Sequence, residues 1–332
     1  MILAGDIGGT KTVLALYQQE NGELQQREMA VYGSREFSTF QEILATFLME
    51  NGGPAIQFAC LGVAGPVVDG RCQTTNLPWQ LDELELAEQL ASPGTKLLND
   101  LEAAAFGMLF LQPQDRCVIN TAANKTRTAN AVVIAAGTGL GEAILYWDGS
   151  QYHPIASEGG HADFAPRTDQ EIALLQYLRN EFGHVSYERI LSGPGLFNIY
   201  KFLRNSGFAS EPEWLTQELV KRDPSAVIGE VGVAGKDPNC IEALKLFVSI
   251  YGAEAGNLAL KCNALGGIYI GGGIAPKILS SLKSGAFMES LTDKGRFGAM
   301  LKQAEVVISL DPHTPLNGAA RYAQRLLSAK VA

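Results

Sequence analysis

The stretch Ile2-Leu3-Ala4-Gly5-Asp6-Ile7-Gly8-Gly9-Thr10-Lys11-Thr12-Val13-Leu14-Ala15-Leu16 sets two apolar runs around a tight polar loop. A dinucleotide fingerprint or a P-loop places a helix after its glycines. Here Val13 to Tyr17 follow, and they read as a second buried strand. Gly5 and Lys11-Thr12 nearly match a Walker A pattern, but Thr10 stands where its second glycine belongs. The stretch therefore predicts a β-hairpin whose turn offers backbone N–H groups and hydroxyls to an anion, a nest rather than a helix dipole. An ordinary glycine-rich hairpin fits the same residues.

Farther along, Ala131 to Tyr146 repeats the theme: apolar run, Gly137-Thr138-Gly139, apolar run. Two such hairpins in one chain predict a duplicated fold that holds a nucleotide phosphate. Between them the spacing predicts a strand at Arg27–Val31, a helix at Glu36–Asn51 and, in Ile56–Val67, a buried strand ending in a Gly65-Pro66 turn. A short helix at Leu81–Leu90, a strand at Thr95–Leu98 and a helix at Leu101–Leu111 complete a β-β-β-α-β-α-β-α order. Beyond the second hairpin, helices are expected at Thr168–Phe182, Leu196–Ser206 and Ile241–Leu265. A strand at Gly267–Ile270 should end at Gly271-Gly272-Gly273, and a last strand, Val306–Leu310, should precede a helix at Asn317–Ala329. Three glycines at a strand end let a flat ring approach the backbone; a plain strand-to-helix turn is the other reading.

Composition narrows the function. The 332 residues suffice for two domains, and 36 glycines with 46 % hydrophobic content fit an α/β enzyme. A net charge of −9 without a basic run argues against nucleic acid and anionic membranes as partners. Apolar runs are too short for a membrane span, and Met1–Ala4 lacks the basic start of a signal peptide. Five scattered cysteines with no C-x-x-C pair point to reduced thiols, a cytoplasmic protein and no zinc site.

Together, these segments resemble the bacterial hexose kinases of the actin–hexokinase–Hsp70 superfamily, and within them the bacterial glucokinase family. Gly5-Asp6-Ile7-Gly8-Gly9-Thr10 is similar to that family's first phosphate loop, Gly137-Thr138-Gly139 to its second, and Gly271-Gly272-Gly273 to its adenosine motif. Leu98-Asn99-Asp100 matches the segment bearing the catalytic aspartate. Glu158-Gly159-Gly160-His161 and Tyr187 to Gly195 resemble the sugar-binding segments. The resemblance runs from about Gly5 to Ala320. The first loop is widely shared in the superfamily, whereas the full set in this order is specific. Lys11 departs from the asparagine expected there, and the cysteine-rich zinc motif of the sister repressor–ORF–kinase group is missing.

The resemblance implies an α/β, two-domain actin/hexokinase-like (ribonuclease H-like) fold with the active site in the interdomain cleft. The small domain would be 1–107, with the terminal helix 313–332 packing back on it, and the large domain 108–312. It implies an ATP-dependent hexose kinase acting on D-glucose and MgATP. Gly5, Asp6, Ile7, Gly8, Gly9, Thr10, Gly137, Thr138, Gly139, Gly271 and Gly272 would bind the nucleotide. Asp6 would reach Mg²⁺ through water, which suits an ion that keeps much of its hydration, although a turn carboxylate explains it as well. Asp100 would be the general base, a role whose competitor is a helix N-cap. Asn99, Glu158, His161 and Glu188 can pair with sugar hydroxyls; Asn76, before Leu77-Pro78-Trp79, is a weaker candidate that an ordinary turn also explains. A homodimer is expected as a possible assembly. Kinases for another hexose or an N-acetylated hexosamine, and a non-enzymatic sugar sensor, are the competing readings. Asn99-Asp100 together with Glu158-x-x-His161 favours the enzyme.

Overall fold

The computed structural model describes residues 1–120 and 128–331. Among them no helix is long and apolar enough to cross a membrane. The chain divides into two compact units, one of residues 1–113, 153–156 and 311–332, the other of 114–152 and 157–310. Residue 332, at the end of the terminal segment, lies outside the described residues.

In the first unit, strands β1 (Ile2–Ile7), β2 (Lys11–Glu20), β3 (Glu23–Gly33), β4 (Phe58–Val63) and a later strand form a five-stranded sheet. Three short strands, β5 (Val67–Val68), β6 (Arg71–Gln73) and β7 (Gln80–Asp82), make a separate small sheet before β8 (Thr95–Asn99) completes the large one in the order β3-β2-β1-β4-β8. The opening hairpin has the register Ile7–Thr12 and Ile2–Tyr17, and β1 then runs parallel to β4. β4 is apolar throughout because both faces are covered. Helices α1 (Phe40–Glu50) and α2 (Glu83–Gln89) bury Phe40, Phe47 and Leu86 on one face. Helix α3 (Asp100–Met108) covers the other, with the C-terminal helix supplying Leu316, Ala319 and Ala323.

A six-stranded sheet, most of it in the second unit, repeats the plan. Its strands are β9 (Arg116–Val118), β10 (Ala131–Ala136), β11 (Leu140–Trp147), β12 (Tyr152–Ser157), β13 (Gly267–Gly271) and β14 (Val306–Ser309), in the order β12-β11-β10-β13-β14-β9. Here too an antiparallel hairpin leads into a parallel neighbour, β10 beside β13. Against this sheet lie α4 (Asp169–Phe182), α5 (Gly193–Asn205), α6 (Glu213–Lys221), α7 (Pro224–Val233) and the 25-residue α8 (Pro238–Cys262). Short helices α9 (Leu279–Leu282), α10 (Ala286–Thr292) and α11 (Gly298–Leu301) precede β14, and α12 (Thr314–Val331) is the C-terminal helix that packs on α3 and β1.

Several boundaries differ from the sequence expectation. α1 starts at Phe40 rather than Glu36, because Thr39 accepts the Glu42 N–H as its cap and Ser34–Glu36 form a single 3-10 turn. Pro276 opens a 3-10 turn, Ala275–Ile278, instead of a full helix. β9 and β12 were not expected: the first is three residues long, and the second contains Pro154 and is largely unburied.

Candidate active site

In the first unit, the β1–β2 loop is Gly8-Gly9-Thr10. Gly8 N–H donates to Lys11 O at 3.0 Å, and Ser34 braces the loop from β3's end, its N–H donating to Thr10 O at 3.0 Å and its hydroxyl to Gly8 O at 2.8 Å. Gly5 and Ile7 lie within β1. Gly5 packs between Leu14 and Leu61, and the Ile7 side chain is buried, so only their backbones and neighbours are available to a ligand. The Asn76 side chain packs over Gly9, which ties that turn to the loop.

Asn99, rather than Asp100, caps α3. Its Oδ1 accepts the Leu101 N–H at 2.9 Å, its Nδ2 donates to Gly65 O at 3.0 Å, and Glu102 returns a bond to its N–H at 2.9 Å. Asp100 is consequently the first residue of the helix, with Oδ1 also accepting the Leu101 N–H at 2.9 Å. It acts electrostatically on Asp6: burial first, then the Asp100 charge, push the Asp6 carboxyl up to about 6, against the opposing pull of Lys11. Two carboxyls that repel across a polar loop form a donor set that fits a hydrated divalent cation.

In the second unit, the β10–β11 loop is closed by Gly137 N–H donating to Gly139 O at 2.9 Å. The Glu188 carboxylate lies beside Gly139 and accepts the Leu140 N–H at 3.0 Å. His161 sits between two carboxylates, with Nδ1 3.8 Å from Glu158 and Nε2 3.7 Å from Glu188. Glu158 and His161 are 79 % and 61 % exposed, so this polar trio is open to a ligand rather than consumed in the fold. The turns are joined through the backbone, as Ala162 N–H donates to Gly159 O and Tyr187 N–H to Ala162 O.

Beside this trio lies a cavity of about 820 Å³ with Gly137 and Thr138 in its wall. Gly193, Pro194 and Leu196 of α5 form a second side; Gly193 N–H donates to Gly137 O at 2.8 Å. The sequence had grouped Gly193-Pro194 with the sugar segments, whereas these residues line the cavity. The third side is Gly273, Ile274, Lys277 and Ile278, after β13. Gly272 reaches this wall at φ +82°, where a Cβ would strike Ala136 O, so a glycine is required. Ser225, Ala226 and Gly229 of α7 complete the cavity; the sequence marks Pro224–Gly232 as a helical or loop piece, with Asp223-Pro224 as its start signal, but does not assign it to the site.

Twin hairpins on matching sheets, each with a loop able to meet an anion, place the chain in the actin/hexokinase-like class of phosphoryl-transfer proteins. A family model described as Glucokinase matches residues 3–326. The chain is 41 % identical to a glucokinase from Trichormus variabilis over 98 % of its length and 99 % of the relative's. The crystal structure of a glucokinase from an Antarctic psychrotroph superposes with a TM-score of 0.86 at 31 % identity, covering 98 % of each chain. A ROK family glucokinase from Streptomyces griseus, in complex with glucose and AMPPNP, shares the fold with a TM-score of 0.64 at 20 % identity, over 98 % of this chain and 99 % of that one. The chain belongs to the glucokinase family, whose members are ATP-dependent hexose kinases.

Proposed function

We propose that the protein transfers the γ-phosphoryl group of ATP to the 6-hydroxyl of D-glucose, with Asp100 as the general base. The observation that carries this reading is the open trio of Glu158, His161 and Glu188, hydrogen-bonded through Leu140 to the loop that borders the cavity. Three polar groups around one point suit a ligand dense in hydroxyls, and such a site rejects analogues that leave its groups unpaired. The cavity's mostly apolar walls and Lys277 suit a nucleoside, with Gly137, Thr138 and Gly139 at its phosphates. Gly271 and Gly272 would let the base approach β13.

Phosphoryl transfer depends mainly on positioning and charge stabilisation. Asp100 accepts the proton of the sugar hydroxyl as the O6–phosphorus bond forms and the bond to the ADP oxygen breaks. Asn99, with its amide fixed by Gly65 and Leu101, holds Asp100 at the head of α3 and presents the sugar with a rigid neighbour. Gly5–Thr10 would meet the transferring phosphates, and Asn76 would border the sugar. Asp6 would hold Mg²⁺ through water; when bound, that ion neutralises phosphate charge.

The test is the rate of ADP release from MgATP with a panel of hexoses. Glucose should give the highest kcat/KM, and release should require Mg²⁺. A higher value for N-acetylglucosamine or N-acetylmannosamine would overturn the glucose assignment, and no response to any sugar would overturn the kinase reading.

A further inference from the structure

Two buried carboxylates lie beneath the hexose-recognition turns of the second unit, and phosphoryl transfer has no use for them. Glu142 on β11 is 1 % exposed and Glu254 on α8 is 0 % exposed. In each, Oε1 has no hydrogen-bond partner among the described residues. Glu254 is nonetheless supported: Asn257 Nδ2 donates to its Oε2 at 2.8 Å, the Tyr187 hydroxyl bonds to it, and Lys261 Nζ stands 3.8 Å from Oε1. The Glu142 carboxylate instead lies directly under Gly159, so closely that a Cβ there would collide with it. Gly159 is the centre of the turn that carries Glu158 and His161.

We propose that Glu142 is a positioning residue for hexose binding: its neutral carboxyl group is the floor on which the Glu158–His161 turn rests, and a charge on it displaces that turn. The proposal rests on the assignment of Glu158, His161 and Glu188 to the sugar. A charge at Glu142 would face the Glu254 charge in a place that water does not reach, and the turn above it, with Glu158 and His161 exposed, is the side that borders solvent. Movement of Gly159 is transmitted to Glu158 and His161 directly. It reaches Glu188 through the bonds from Ala162 N–H to Gly159 O, 2.9 Å, and from Tyr187 N–H to Ala162 O, 3.0 Å.

Burial, and next the Glu254 charge, push Glu142 up to about 7, with Lys261 opposing. The other titratable groups of α8 that act with it are Tyr251 and Cys262. Glu158 and His161 are carried on the turn itself. Lys294 and Tyr187 reach Glu142 through Glu254, Lys294 by donating to Asn257 Oδ1 at 2.6 Å. An acid raised in the folded state binds its proton more tightly there than when unfolded. Its contribution is therefore full below the ordinary value of 4.5 and is lost as pH rises through about 7.

The experiment measures KM for glucose with MgATP at about pH 6 and about pH 8.5 for the wild type, Glu142→Gln, Glu142→Ala and Glu254→Gln. In the wild type, KM should rise about threefold or more with pH while kcat changes less. Glu142→Gln should hold the low KM at both values, and Glu142→Ala, lacking the floor, should be raised at both. Glu254→Gln should move the rise to lower pH, and it serves as the readout if Glu142→Gln does not fold. A Glu142→Gln profile that rises as the wild type does would overturn the proposal. Melting temperature separates this failure from failure of the sugar assignment. The advantage of Glu142→Gln over wild type should grow from pH 5 to pH 8.5 whatever the substrate, and a difference that ignores pH would also overturn the proposal. Absence of hexose turnover in the wild type would overturn the sugar assignment and, with it, the positioning role.

Discussion

The first hairpin loop is held by hydroxyls and the second by a carboxylate and the start of a helix. Ser34, buried and bonded to Thr12 at 3.0 Å, anchors Gly8 and Thr10 from the 3-10 turn that follows β3. At the equivalent loop, the Glu188 carboxylate accepts the Leu140 N–H and Gly193 N–H donates to Gly137 O. The same backbone plan thus serves two purposes. In the first unit the hydrogen bonds that brace the loop come from Ser34, and of the proposed sugar groups Asn76 packs over Gly9. In the second, one side chain, Glu188, both braces the loop and faces His161, so under the proposed function nucleotide and sugar recognition would share a group.

The carboxylate pairs differ in the same sense. Asp6 and Asp100 repel beside a polar loop, where Lys11 and a cation can relieve the charge. Glu142 and Glu254 repel in the core, where a proton must do so. Burial is the first cause of the shift in both pairs, and what separates them is the neighbouring Lys11 and polar loop at Asp6 against the fully enclosed Glu142 and Glu254.

The largest expected effect breaks the first pair. Asp100→Asn preserves shape but removes the base, and kcat should fall roughly 10²-fold or more, about 2.7 kcal/mol of transition-state stabilisation. Since Asn99 supplies the cap of α3, melting temperature should hardly change. A folded variant with near wild-type kcat would free Asp100 from the base role.

Next, Glu188→Ala tests the shared group. KM for glucose should rise about tenfold, and KM for MgATP should rise as well because Leu140 N–H loses its acceptor. An effect confined to one substrate would separate the two roles. Glu158→Ala, which has no contact with the nucleotide loop, should raise KM for glucose alone.

A pH profile sharpens the comparison at Asp6. Its carboxyl, raised to about 6, contributes stability below its ordinary 3.8 that is lost as pH rises through about 6, so the ionised form is the costly one and a cation favours it. Turnover should fall below about pH 6, and additional Mg²⁺ should shift that limb to lower pH. An acid limb indifferent to Mg²⁺ would disconnect Asp6 from the metal. The smallest effect is Ser34→Ala, which removes the hydroxyl's bonds to Gly8 O in the first loop and to Thr12 on β2 and should cost about 1 kcal/mol in a melting experiment. KM for glucose should not follow.

Much of this was legible in the sequence for a physical reason: glycine and threonine between two apolar runs leave few alternatives to a hairpin. Asn99-Asp100 was visible as a strand end meeting a helix, although which residue capped that helix required the structure. β12 was hidden because Pro154 and exposed Ile155 blur its alternation. The α7 wall carries no motif, since cavity lining is a matter of shape and not of spacing. Glu142 falls within the apolar run that follows Gly137-Thr138-Gly139 and is not singled out by the sequence, and only the fold shows that its side chain faces α8 and Gly159.

The central claim is transfer from ATP to oxygen 6 of glucose, and ³¹P NMR of the reaction tests it most directly. With MgATP and D-glucose, each ADP formed should be matched by one glucose 6-phosphate, and 6-deoxyglucose should bind without being phosphorylated. An ester at another oxygen, or ADP accompanied only by inorganic phosphate, would contradict the account.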